Sequence, residues 1–218
     1  MAPPLDTGGE SGELVVLGAG WSALDIAEYA EDAGWRVTGL VELLDDTRIG
    51  RMHGGRPILG MDELTHETVA IAAGGADRRS DRRAAWDAAS KRGARTTTIC
   101  HPTAHVSPTA RLAPGAVIGP MSVIGTGASI GDHVIISRGG LIGHHVEVGA
   151  FSRLFPGVNV AGHVHFGRDV TVGMGAVIAD HTVVGDGAIV AAAAMVLRDV
   201  AAGVRVQGVP ARPFTPAR

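Results

Sequence analysis

The chain has almost no cysteine, no excess of either charge and no long apolar run. Cys100 is the single thiol among 218 residues. An internal disulfide and a zinc site built on paired cysteines are therefore excluded, and the expected role of Cys100 is that of a small buried residue. Lys and Arg number 19 against 22 Asp and Glu, a net charge of −3, which leaves no electrostatic reason to expect nucleic acid or an anionic membrane as partner. No apolar stretch approaches the roughly 18 to 20 residues that span a bilayer. The start, Met1 to Gly9, lacks the basic-then-apolar order of a secretory leader. These absences point to a soluble, cytoplasmic protein that handles small molecules, with one large domain or two modest ones.

Glycine, by contrast, is abundant, at 32 residues, and its setting divides the chain in two. From Glu13 to about Arg95 the pattern is that of an α/β unit. Leu14 to Leu17 reads as a buried strand, Gly18-Ala19-Gly20 as a tight turn, and Ala23 to Ala33 as a helix with apolar positions at Ala23, Ile26, Ala27 and Ala30, ended by Gly34. A second strand at Arg36 to Glu42, a polar glycine-rich connection, a third apolar run at Val69 to Ala73 and a charged helix at Asp77 to Arg92, stopped by Gly93, complete a β-α-β-β-α order. That order predicts a small, mostly parallel sheet with flanking helices.

From Val106 onward the period becomes six. Val106, Leu112, Ile118, Ile124, Ile130, Ile136, Ile142, Val148, Leu154, Val160, Phe166, Val172, Ile178, Val184, Val190 and Val196 are all apolar. The residue two before each is small or valine, as at Ala104, Ala116, Ser122, Ala128, Gly140, Ser152, Ala176 and Ala188. Glycine recurs directly after the large residue, at Gly119, Gly125, Gly131, Gly143, Gly149, Gly167, Gly173 and Gly185, where a corner wanting positive φ is expected. A solenoid of very short parallel strands, with the large residues stacked along its axis, satisfies this count.

The hexads, the closing segment Gly208-Val209-Pro210-Ala211, the segment Ile58-Leu59-Gly60 and the lead-in Ile99-Cys100-His101-Pro102-Thr103-Ala104 resemble the hexapeptide-repeat acyltransferases. The branch is that of sialic acid O-acetyltransferase and bacillosamine N-acetyltransferase. The resemblance implies an N-terminal Rossmann-like α/β unit followed by a left-handed parallel β-helix, a triangular prism of a little over five coils. The expected divisions are 1–12 as a flexible start, 13–98 as the substrate-binding unit, 99–203 as the β-helix and 204–218 as a C-terminal segment. It further implies a homotrimer with acetyl-CoA as co-substrate, bound in clefts between prisms, and no metal.

With eighteen residues per coil, His144 stacks with Thr126, Gly162 and Asp180, and His145 with His163 and His181, all at outward corners. The resemblance places Leu141-Ile142-Gly143-His144 on the family's V-I-x-H-[DE] motif, whose histidine is the general base. Imidazole titrates near neutral pH and can take the proton of an attacking amine or hydroxyl. The Gly162 N–H, one coil along, is the expected oxyanion donor. Arg153, Gly162, Met174, Ala192 and Arg212 are the expected donor contacts. Three departures stand out. His145 replaces the family's carboxylate, with Glu147 the nearest substitute, or only a surface charge. Ser137-Arg138 replaces an Asn-Thr pair, and Arg153 stands where relatives can carry a histidine. The two arginines suggest an acidic group on the acceptor or a changed donor contact. The histidine ladder raises the question of a metal, but repeats also stack like residues without binding anything.

In the N-terminal unit the resemblance implies a site for the nucleotide part of a sugar substrate, with Gly18, Gly20, Trp21, Glu42, Gly74 and Arg138 as substrate contacts and Gly75 beside them. Here too the chain departs, with Trp21-Ser22-Ala23 in place of G-H-G and Glu42-Leu43 in place of Asp-Asp. Trp21 could stack on a base or equally fill the pocket. Taken as a dinucleotide fingerprint, the Gly-Ala-Gly turn is weak, since its third glycine is alanine. The expected function is direct, ternary-complex acyl transfer to an amine or hydroxyl of a sugar, nucleotide sugar or similar metabolite. The alternative is an inactive trimeric binding or scaffold homologue.

Overall fold

The computed structural model describes residues 12–43, 45–73 and 79–215. Two compact units divide between Cys100 and His101.

The N-terminal unit runs β1 (Glu13–Leu17), α1 (Trp21–Asp32), β2 (Arg36–Val41), β3 (Met52–His53), β4 (Arg56–Leu59), β5 (Ala70–Ala72) and α2 (Arg79–Lys91). The sheet order is β3-β4-β2-β1-β5. All pairings are parallel except that of β3 with β4. Helix α1 buries Ala23, Ile26, Ala27 and Ala30 at helical spacing, and Gly34, at φ 91°, turns the chain out of it. Val15, Leu17, Val41, Ala70, Ala72, Ala85 and Ala89 share one core.

The expected plain connection between the second and third strands is instead a hairpin, so the order is β-α-β-β-β-β-α. Its cause is Gly54-Gly55, whose φ values of 55° and 76° suit the two-residue turn that matches strand twist. Residues 1–11 of the expected flexible start lie outside the described residues, as do Gly74, Gly75 and the first two positions of the expected second helix.

The second unit is a prism. Two-residue strands recur every six residues from His105–Val106 to Met195–Val196, and every third strand joins the same parallel sheet. One face carries six strands and another five. Neighbours in a face are eighteen residues apart, as Leu141 is from Val123 and from Asn159. Each large residue of the six-step series from Ile118 to Val196 is buried. Phe166 is fully so, and Ala116, Ala128, Ser152, Ala176 and Ala188 lie inside as the small partners. At the far end Arg205–Gln207 continues one face and Arg212–Pro213 turns back against it.

The glycines that follow the large residues are not the positive-φ corners. Positive φ recurs every six residues at a different place, from Gly115 through Met121, Gly127, His133, Gly139 and His145 to Ala193, and eight of these fourteen corners are not glycine. The glycines after the large residues serve close approach between rungs. A Cβ at Gly143 would lie 2.6 Å from the carbonyl carbon of Ala161, and one at Gly125 would lie 2.7 Å from that of Gly143. Strands about 4.8 Å apart leave no room there for a side chain.

Among the described residues no helix is long and apolar enough to cross a membrane.

Candidate active site

Strand Leu141–Ile142 sends Ile142 into the core, and the chain then turns through Gly143, His144 and His145, with His145 taking the left-handed conformation at φ 56°. The turn is tied to its neighbours by the bonds His145 N–H to Thr126 O (2.8 Å) and His163 N–H to His144 O (2.9 Å). Both His144 and His145 side chains are exposed.

The His144 ring lies directly over Gly162. A Cβ on Gly162 would be 2.5 Å from His144 Nε2 and 2.6 Å from Cε1, so only glycine admits this ring position. The Gly162 N–H donates to no acceptor among the described residues, whereas its carbonyl accepts from His181 N–H at 3.1 Å. An imidazole nitrogen and an unused backbone donor thus stand side by side on an exposed corner.

His145 faces the other way along the column, over Gly127. Its Nδ1 is 3.2 Å from Nδ1 of His144, and the two rings meet edge to face at 82°. His145, His163 and His181 stack, with centroids 5.0 and 4.8 Å apart and planes 11° and 10° apart. Loss of hydration in this stack, then repulsion from His181, His144 and His145, lowers the pKa of His163, with Asp180 acting in the opposite sense.

His144, His145 and His163 bring one ring nitrogen each within 4.8 Å of the others. Nitrogen lone pairs lie in their ring planes, however. Nearly parallel planes, as those of His145 and His163 are, offer no common point for an ion unless a ring turns.

Glu147 does not reach His144. Its carboxylate holds Nδ1 of His165 at 3.0 Å, so the hydrogen-bond partner of His144 is His145, while the His163 ring meets His144 edge to face at 4.9 Å between centroids. Arg138 is exposed, as are Met174, Ala192 and Arg212. Arg153 is only 7% exposed, with its guanidinium carbon 4.7 Å from the centroid of Phe155. Cys100 is half-buried, and burial raises its thiol pKa, the opposite of what a nucleophile needs.

In the N-terminal unit Gly18 is buried at φ 131°, and Gly20 sits at the start of α1. Trp21 is 81% exposed and lies edge to face with His53, centroids 5.2 Å apart. Glu42 is 7% exposed and is engaged within the fold. One oxygen accepts from Leu43 N–H at 2.9 Å and the other from Arg48 Nη1 at 2.8 Å, while Arg48 Nη2 donates to Ala19 O at 2.8 Å. Arg48 and His53 were not foreseen, because both lie in the irregular stretch where no period marks them. Helix periodicity and the Gly-Ala-Gly turn identified only their partners.

The small α/β unit and the prism of hexads after it make the architecture of left-handed β-helix acetyltransferases. No protein-family profile and no curated protein matches the sequence. Solved structures do. A perosamine N-acetyltransferase from Caulobacter crescentus, a histidine-to-asparagine mutant in complex with CoA and GDP-perosamine, is 26% identical over 94% of this chain and 98% of its own, with a TM-score of 0.84. The acetyltransferase domain of PglB from Neisseria gonorrhoeae, in complex with acetyl coenzyme A, is 28% identical over 93% and 98%, with a TM-score of 0.82. WeeI from Acinetobacter baumannii shares the fold, with a TM-score of 0.82 at 20% identity. The chain is an acyltransferase of this type, an α/β unit followed by a left-handed parallel β-helix.

Proposed function

We propose that the protein transfers an acetyl group from acetyl-CoA to an amine of a nucleotide sugar or closely related sugar. The observation that carries this reading is the His144 ring seated over Gly162 beside an unused N–H. The acceptor's lone pair attacks the thioester carbonyl while His144 Nε2 takes its proton. The Gly162 N–H receives the oxyanion, and collapse of the tetrahedral intermediate expels the CoA thiolate, which recovers a proton. Transfer is direct, with both substrates bound together. CoA and GDP-perosamine in the Caulobacter relative and acetyl-CoA in the Neisseria relative support the substrate classes.

Met174, Ala192, Arg212 and Gly162 are assigned to the donor's path. Arg153, being buried, is assigned to holding Phe155 rather than to the donor. Gly18, Gly20, Trp21 and Arg138 are assigned to the acceptor. Glu42 acts on it through Arg48, which it holds against the Ala19 carbonyl. A homotrimer is the proposed working form, because one face of the parallel sheet exposes Val123, Leu141, Val177 and Met195 in register, and parallel sheets are normally covered on both sides. The proposed acyl-CoA donor supports a cytoplasmic location for the reaction.

The test is thiol release from acetyl-CoA with a panel of amino- and hydroxy-sugar nucleotides. His144→Ala is expected to lower turnover at least about a hundredfold. Unchanged turnover removes His144 from the mechanism, and no turnover by the native protein with any acceptor favours a trimeric binding or scaffold role.

A further inference from the structure

The contact made by the second ring nitrogen of a histidine base selects which nitrogen keeps the proton. In this molecule the contact is another imidazole. Nδ1 of His144 lies 3.2 Å from Nδ1 of His145, and a bond between two such nitrogens needs one N–H and one lone pair. Glu147, the nearest carboxylate in sequence, is engaged with His165.

We infer that His145 is a positioning residue, a neutral imidazole whose Nδ1 lone pair accepts the Nδ1–H of His144 and so leaves the Nε2 lone pair of His144 free toward the acceptor. The inference rests on the reading of His144 as the base. The other neighbours of His145 are imidazoles too: its ring is stacked on His163, which is stacked in turn on His181. The titratable groups around it are those imidazoles and His144. Asp180 acts on His163, and the Glu147 carboxylate is spent on His165. The left-handed backbone at His145, φ 56°, fixes the direction from which the ring can reach back to His144.

The consequence for the proton is specific. When the acceptor's proton arrives at Nε2, His144 carries both ring protons and still donates from Nδ1 to His145. A proton placed on His145 Nδ1 removes the acceptor. His144 must then present its own lone pair at Nδ1 and carry its proton at Nε2, where it cannot act as a base. Unlike a carboxylate, His145 supports the base without a negative charge.

The experiment needs no knowledge of the acceptor. Ring-nitrogen NMR of the full-length ¹⁵N-labelled protein at mildly alkaline pH is expected to show His144 as the Nδ1–H tautomer. His145→Asn keeps an acceptor oxygen and tolerates positive φ, and should keep that tautomer. His145→Gly suits the backbone best and removes the acceptor, and should return His144 to the Nε2–H form that free histidine favours. In thiol-release assays His145→Gly should lower kcat about 10- to 100-fold at unchanged KM for acetyl-CoA, with His145→Asn largely rescued. His145→Asp should move the acidic limb of the pH–rate profile to higher pH, since an adjacent negative charge favours the imidazolium. An Nε2–H tautomer in the native protein, or no tautomer change in His145→Gly, overturns the inference. If His144→Ala abolishes turnover while the His145 variants leave the tautomer unmoved, the base assignment survives and only the role of His145 falls. If His144→Ala remains fully active, both fall.

Discussion

The two units of this chain solve the same problem, holding polar side chains at fixed points, by different means. In the prism the backbone repeats every eighteen residues, so a side chain's place follows from its number. His144 lies over Gly162, and His145 in line with His163 and His181. In the α/β unit each polar group is held by a particular partner, as Glu42 is by Arg48 and Arg48 by the Ala19 carbonyl. A repeat places chemistry by arithmetic, whereas an irregular sheet places it through single contacts that a change of one residue removes.

The contrast is broken most severely where rungs touch. Phe166→Ala empties the fully buried centre of the prism and should cost about 3–5 kcal/mol of unfolding free energy. Gly143→Ala drives a methyl into the Ala161 backbone and should cost about 3 kcal/mol or more, because neighbouring rungs cannot move apart singly. Trp21→Ala, at the exposed start of α1, should change stability by less than about 0.5 kcal/mol. Denaturant unfolding of the three variants checks the ordering. A tolerant Gly143→Ala would show that the rungs give more than their spacing suggests.

Gly162→Ala separates chemistry from fold. The three atoms nearest such a methyl all belong to the end of an exposed side chain, the His144 ring, and the backbone there is not left-handed. The melting temperature should therefore barely move, while turnover falls about a hundredfold as the imidazole is displaced. Parallel thermal melts and thiol-release assays read both quantities.

These glycines also mark how far the sequence could be read. The six-step series from Val106 to Val196 is legible because one apolar residue per hexad suffices to fill the axis. The column of His144 and Gly162 then follows by counting. The corners were misplaced because glycine does two jobs in this prism, and the commoner one, close approach, does not need positive φ. The true left-handed positions are hidden, since Met121, Phe151, His163 and Ala193 occupy them as readily as glycine. In the α/β unit, the Gly54-Gly55 turn signals a hairpin, but its first strand, Met52–His53, is too short to show alternation. The Glu42–Arg48 pair leaves no periodic trace at all. The partner of His144 was legible only as a departure, a histidine where a carboxylate was expected, and its contact is set by a side-chain geometry that counting does not reach.

A smaller effect is expected from the N-terminal clamp. Glu42→Gln keeps the side chain's shape and weakens its hold on Arg48, at a cost of up to about 1.5–3 kcal/mol, the range for a hydrogen bond to a charged group. Because Arg48 also holds the Ala19 carbonyl, the turn that opens α1 should loosen, and KM for the nucleotide-sugar acceptor should rise while KM for acetyl-CoA does not. Equal changes in both constants would detach the clamp from acceptor binding.

The least disruptive test concerns the imidazole stack. His163 has its pKa lowered in the folded protein, so the unfolded chain binds its proton more readily. Stability must then rise with pH wherever the unfolded state holds more protons. The contribution of His163 is accordingly complete above about pH 6.5, the ordinary histidine value, and is lost as pH falls through its lower folded value. Melting temperatures of the native protein should drop across that window more steeply than those of His163→Asn, whose side chain tolerates the left-handed backbone and carries no titrating group. The difference should be small, since the rings are exposed and water screens their repulsion. It should shrink further in high salt, which screens charge but leaves stacking intact. A salt-independent difference would assign the lowering to lost hydration alone, and coincident curves for the two proteins would show that the stacked rings do not resist protonation.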